Sequence, residues 1–290
     1  MVVIPLFALV QREPLLGAAL ARAQNSVDGA TGQDSAQDTA KSCSARSLLF
    51  NFEDSRRDGA THEVPIWHLP DTSAFFFSAG MTIDADGSPN AYSPDNTGLD
   101  DLSNAGVPGH WEGVIQDENG NPIVQGPDDP FPGFYVSCTS LVDRSKKRSD
   151  PSRYVDASKI PYIVLPGGLA RDAGARLGDF AVVVNVREHK TAYAVFADVG
   201  TFGEGSVALA DDLGIWSNAR QGGRRAGLFY IVFPGSGNGQ PRTVEEINTE
   251  TEKAFRDWGG PEKLASCATE PEPEPATASK STQSQSQPAY

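Results

Sequence analysis

The sequence predicts a mainly β protein, a barrel or a sandwich formed as one domain. Three observations lead to that class. Short apolar runs rich in β-branched and aromatic residues recur between Gly, Pro, Asn and Asp. Glycine and proline are abundant, 29 and 21 of 290 residues, as a chain of many turns requires. Long stretches of 3.6-residue periodicity are scarce, and many short strands with few helices read as a closed or two-layered sheet.

The ends of the chain stand apart from the domain. Residues 1–23 contain two apolar stretches, Val2–Val10 and Leu15–Ala21, leading into Ala21-Arg22-Ala23. This resembles a secretory signal peptide with a small-residue cleavage site, although it lacks a basic start and Gln11–Pro14 interrupts it. Export to the extracellular space is the expectation. Residues 24–44 are polar and small, and residues 268–290 form a Pro/Glu/Ser/Gln tail. Both have too little to bury and read as disordered linkers. Residues 45–267 remain as the domain.

Within it, candidate strands are Phe75–Phe77, Met81–Ile83, Gly113–Ile115, Gly133–Leu141, Tyr162–Val164, Asp179–Asn185, Thr191–Ala197 and Gly227–Phe233. Val186–Lys190 has the length of a hairpin loop between two of them. Two helices are expected. Ser206–Leu213 has Ser206 as N-cap and Gly214 just past its end. Thr243–Trp258 is amphipathic, with Thr243 as cap and Glu246 at the capping-box position.

Three cysteines are present: Cys43, Cys138 and Cys267. Cys43 and Cys267 bracket the domain, and in an exported chain their pairing would tie its ends together, leaving Cys138 as a thiol buried in a strand. Other pairings are equally open. No C-x-x-C occurs, which excludes a zinc ribbon.

Charge narrows the function classes. The chain has 24 Lys+Arg against 38 Asp+Glu, a net charge of −14. That opposes non-specific nucleic-acid binding and an anionic membrane surface, and suits a cationic substrate. No apolar run is long enough to span a bilayer. His62, His68, His110 and His189 lack metal-ligand spacing. There is no G-x-S-x-G, P-loop or dinucleotide fingerprint. Asp84-Ala85-Asp86-Gly87 hints at a calcium loop but lacks the remaining ligands, so a turn is expected. No cofactor or metal, and no oligomer beyond the monomer, is indicated.

Carboxylates remain. An apolar strand ends in Asp198, and Glu204 follows between Gly203 and Gly205. Charged residues seldom close an apolar strand without a partner, and two carboxyls near one strand end are what glycosidic-bond cleavage uses. On pattern alone, a turn aspartate and a solvated loop glutamate remain the simpler account.

Several runs then resemble one known family in one order. They are IDADG (Ile83–Gly87), NAYSPDNTGLDDLSNAG (Asn90–Gly106), NPIVQGPDDPFPGFYVS (Asn121–Ser137), DPSRYVDASKIPY (Asp150–Tyr162), KIPYIVLPGG (Lys159–Gly168), GDFAVVVN (Gly178–Asn185), AVFADVG (Ala194–Gly200), GEGSVALADDLGI (Gly203–Ile215) and YIVFPGSGNG (Tyr230–Gly239). The family is glycoside hydrolase family 75, the fungal-type chitosanases. The resemblance implies a six-stranded double-psi-like barrel and endo-acting, inverting cleavage of the β-1,4 links of chitosan. It implies Asp198 and Glu204 as the catalytic pair. The loop between them, Val199–Gly203, is shorter than the family's usual one, which leaves the separation of the two carboxyls open.

On this reading Glu204 is the general acid and Asp198 the general base, with exchanged roles left open by the sequence. Candidate substrate carboxylates are Asp84, Asp86, Asp95, Asp100, Asp101 and Asp129, each also readable as a turn or surface residue. Tyr92, Trp111 and Tyr135 are candidates for stacking on sugar rings, or for core packing. Asp179 either orients a catalytic group or ends a turn. The rival readings are a non-catalytic, expansin-like wall-loosening module and a hydrolase of another β-1,4 polysaccharide.

Overall fold

The computed structural model describes residues 43–55 and 61–268. Residues 1–23, nearly all of 24–44 and all but the first residue of 268–290 lie outside the described residues. In chain order the elements are β1 (Ser47–Ser55), β2 (Thr61–His68), β3 (Phe75–Asp84), β4 (Gly106–Val107), β5 (His110–Trp111), β6 (Tyr162–Leu165), α1 (Gly167–Asp172), β7 (Phe180–Asn185), β8 (Lys190–Val199), β9 (Glu204–Ser206), α2 (Val207–Leu213), β10 (Arg224–Phe233), α3 (Val244–Trp258) and α4 (Gly260–Ala268).

The main sheet runs β1-β2-β3-β10-β7-β8-β6-β9, and a further pairing of β3 with β9 closes it. The result is a six-stranded barrel, β3-β10-β7-β8-β6-β9, with the β1–β2 hairpin attached at β3. Two of its pairings are parallel, β3 with β9 and β6 with β8, and the other four are antiparallel.

Strand alternation divides the apolar residues into two cores. Phe77, Ile163, Val183, Phe196 and Tyr230 join Leu209 and Leu213 of α2 in one cluster. Helix α2 touches β3, β6, β7, β8 and β9, so it sits across the barrel's end and its cluster fills the interior. Val182, Val184, Val195 and Ile231 form the other cluster with Ile247, Phe255 and Trp258 of α3 and Leu264 of α4. Since α3 lies chiefly along β7 and β8 of the barrel, this second core lies outside the wall. Strands buried on both faces read as continuous apolar runs, which is why FAVVVN shows no alternation.

Both expected helices form as their caps dictate. The Ser206 hydroxyl accepts from Leu209 N, and Gly214 ends α2 in the left-handed region at φ 67°. Ser206 also ties α2 to β6, accepting from Tyr162 N and donating to Ile160 O. Thr243 and Glu246 form a complete capping box on α3. Cys43 and Cys267 form a disulfide with Cα atoms 5.0 Å apart, fastening the start of the described chain to α4.

The structure departs from expectation in several places. Gly113–Ile115 and Gly133–Leu141 are not regular strands. They contribute isolated bridges, Val114 to Ser137 and Val124 to Tyr135. Residues 85–161 instead form a capping region in which aspartates repeatedly accept backbone N–H groups two residues ahead, as at Asp101, Asp117, Asp143, Asp150 and Asp156. Such local bonds compete with strand ladders and win where Asp, Gly and Pro are dense. Cys138 therefore sits half-buried in irregular chain, its thiol donating to Glu112 O at 3.4 Å. Strands β1 and β2 and helices α1 and α4 were not foreseen. Among the described residues no helix is long and apolar enough to cross a membrane.

Candidate active site

A backbone irregularity aims the key aspartate. Ile163 of β6 pairs with Phe196 of β8, yet the next residue, Val164, pairs with Asp198. Strand β8 thus carries one extra residue there, Ala197. Phe196 points into the barrel, and two residues later a regular strand would point inward again. The bulge turns Asp198 to the outer face with Val164, as bulges beside reactive sites commonly do.

On the other side of Val164 lies Glu204, its antiparallel partner on β9. Asp198, Val164 and Glu204 therefore form a row across three adjacent strands. Two strand spacings put the backbones of the two acids roughly 10 Å apart. Their separation is fixed by the sheet register, so the short Val199–Gly203 loop does not set it. That loop instead holds the Glu204 carboxylate, whose Oε2 accepts from Thr201 N at 3.0 Å. A Cβ on Gly200 would stand 3.2 Å from that oxygen and 3.0 Å from Val164 Cγ1, so a side chain there would make both neighbours give by a few tenths of an ångström.

Asp198 is nearly buried, at 9% exposure. Its Oδ1 accepts from Ser140 N at 2.9 Å, Val199 N at 2.8 Å and the Ser140 hydroxyl. Burial pushes its carboxyl above the usual range, and these bonds partly restrain the rise. All three donors are on one oxygen. Asp84 ends β3, opposite Ser206 on β9. Burial first, then the neighbouring Asp198 charge, pushes its carboxyl up to about 8. Asp86 is raised by burial and by the Asp84 and Asp198 charges. It accepts from the Tyr92 hydroxyl at 2.7 Å. The Asp84–Gly87 segment is a turn, as expected, with Asp86 N donating to Asp84 Oδ1 at 2.8 Å.

These groups line one groove of about 670 Å³ with Asp100, Glu112 and Arg220. Past Glu204 a second basin of about 440 Å³ shares Thr82, Thr201, Glu204, Gln221 and Gly222 with it. Among the described residues no cluster of three or more His, Cys, Asp or Glu side chains is arranged to hold a metal ion.

Of the residues singled out from sequence, Asp84, Asp86, Tyr92, Asp100, Asp198 and Glu204 meet in this groove. The others do not line it. Asp95 binds the Ser93 and Thr97 hydroxyls. Asp101 caps the turn at Leu102–Ala105. Asp129 accepts from Gly126 N. Trp111 and Tyr135 pair at 6.3 Å and pack on the cluster around Tyr92. Asp179 clamps a turn, accepting from Arg176 N and Gly237 N; it does not touch Asp198 or Glu204. Ser140, Thr201, Glu112 and Arg220 belong to the groove and carried no sequence signal. Arg220 joins its walls by donating to the carbonyls of Asn96, Gly98 and Asp100.

A barrel whose outer face presents two carboxyls in register across a long acidic groove is the equipment of a polysaccharide hydrolase. The family model described as fungal chitosanase of glycosyl hydrolase group 75 matches residues 81–259, from within β3 past the end of α3. The chain belongs to that family and is a chitosanase-type glycoside hydrolase. No curated protein matches the chain.

Proposed function

We propose that the protein is an exported, endo-acting chitosanase that cleaves β-1,4 glucosamine linkages with inversion. Glu204 is the general acid and Asp198 the general base. The observation that carries this reading is the row Asp198–Val164–Glu204, held by sheet register. Retaining enzymes hold their carboxyls about 5–5.5 Å apart, whereas inverting ones leave about 6.5–9.5 Å for a water. Acids separated by an intervening strand support the wider arrangement.

The hydrogen bonds support these roles. Three donors on Asp198 Oδ1 offset part of the rise that burial imposes on its carboxyl and leave Oδ2 to accept from a water. Glu204 stands where the two basins meet, so it reaches the oxygen linking two sugars bound across them. It gives that oxygen its proton as the bond breaks, while Asp198 takes one from the attacking water. The acidic groove attracts glucosamine ammonium groups. The Cys43–Cys267 disulfide supports an oxidising compartment.

Release of reducing ends from chitosan, chitin and cellulose tests the reading. Chitosan is expected to be cleaved, with chitin and cellulose poor substrates. Asp198→Asn and Glu204→Gln are each expected to lower kcat at least roughly a hundredfold at unchanged melting temperature. Binding of chitosan without release of new ends would point to a wall-loosening module instead. Preferred cleavage of cellulose would point to another substrate.

A further inference from the structure

The two basins that meet at Glu204 differ in chemistry. The first is strongly acidic: Asp84, Asp86, Asp100, Glu112 and Asp198 line it, against Arg220 as its one cation. The second carries Arg224 and Arg225 against Asp54 and the shared Glu204. Its floor is apolar, with Val64, Ala79 and Phe202 half-buried or buried in it. Arg225 is exposed, and Arg224 folds back so that its Nε donates to Ala226 O at 2.9 Å.

We infer that the second basin is a subsite selective for the uncharged N-acetylglucosamine unit of partly acetylated chitosan, while the first takes glucosamine. With Glu204 protonated as the proposed acid, the two guanidinium groups outnumber the Asp54 carboxylate, so the basin disfavours an ammonium and leaves a neutral acetamide unpenalised. The acetyl methyl gains by contact with the apolar floor. The first basin does the reverse, since its carboxylates attract ammonium groups and lose that attraction when an acetamide replaces one.

The basins also have a direction. The inference rests on the proposed pair, in which Glu204 protonates the leaving oxygen. Across the barrel wall the strands run β8, β6, β9, β3, β10. Asp198 is on the first, Glu204 on the third and Arg224 on the last, opposite Met81 of β3. The second basin is thus on the acid's side and receives the leaving half of the chain. The first basin, containing Asp198, holds the half that becomes the new reducing end. Cleavage then leaves glucosamine at new reducing ends and admits N-acetylglucosamine at new non-reducing ends.

The test is to digest a partly acetylated chitosan with the intact protein and identify both kinds of new end by mass spectrometry. A fully deacetylated chitosan is digested alongside. Cleavage of both polymers is expected, with N-acetylglucosamine enriched at new non-reducing ends and nearly missing from new reducing ends. Arg225→Glu is expected to lower the acetylated share at non-reducing ends roughly threefold, the scale of one exposed charge contact. Equal acetylation at both kinds of end, the opposite polarity, or an end pattern unmoved in both Arg225→Glu and Arg224→Gln would overturn the subsite while leaving the hydrolase standing. No cleavage of the deacetylated polymer would overturn both.

Discussion

Single side chains in the groove carry a linkage between charge and stability. Asp84 ordinarily titrates near 3.8 and is pushed up to about 8 by burial and by the Asp198 and Glu204 charges. A carboxyl raised in this way contributes stability while protonated in the folded state. That contribution is complete below pH 3.8 and is lost as pH rises towards about 8. The melting temperature should therefore fall between these limits. Asp84→Asn stays neutral and should flatten the fall, leaving a residual slope from Asp86, also raised. Melting curves taken from acid to mildly alkaline pH decide this. Identical slopes in both proteins would show that Asp84 ionises freely in the fold. The same crowding of carboxyls suits the proposed cationic polymer: bound ammonium groups would offset the repulsion that keeps Asp84 and Asp86 from ionising.

Secondary-structure elements show how far local sequence can be read. The caps of α2 and α3 were legible because they are short-range hydrogen bonds written in adjacent residues. Replacing Thr243 with Ala removes the hydroxyl that accepts from Glu246 N. It should cost about 1 kcal/mol and lower the melting temperature by about 3 °C in a domain this size, with chitosan turnover unchanged. A loss of turnover would mean that α3, outside the barrel, communicates with the groove. Strands β7, β8 and β10 were legible from their β-branched runs. The region from Gly113 to Leu141 was misread because its valines, isoleucine and aromatics look strand-like, while its aspartates and glycines fold it into turns. Strands β1 and β2 were missed because SLLFNFEDS and THEVPIWH mix charge with apolar residues in an open hairpin. The two proposed acids were singled out through the family resemblance and the FAD and GEG contexts. The bulge at Ala197 that brings them to one face was not readable, since it is a property of pairing with β6.

At the scale of the molecule, ring closure builds the wall that carries the groove, and a covalent clasp ties the start of the described chain to α4. The ring is completed by β9, only three residues long, and α2 plugs the end beside it. The same segment therefore supplies the proposed acid, closes the barrel and starts the interior helix, which keeps Glu204 on a rigid support. The Cys43–Cys267 disulfide spans 224 positions and constrains the unfolded chain strongly. Replacing both cysteines with serine should cost about 3 kcal/mol. Chitosan cleavage at room temperature should persist, because the clasp joins α4 and the chain start, away from the groove. Loss of cleavage in a folded double variant would mean that the ends support the site directly.

The central claim is that two acids facing each other across Val164 act on one linkage with a water between base and sugar. Proton NMR of the products in the first minutes of chitosan hydrolysis tests it most directly, because the anomeric signal records which face the water attacked. The account predicts that the α-anomer appears first and the β-anomer grows in only by mutarotation. A product that appears first as the β-anomer would contradict it.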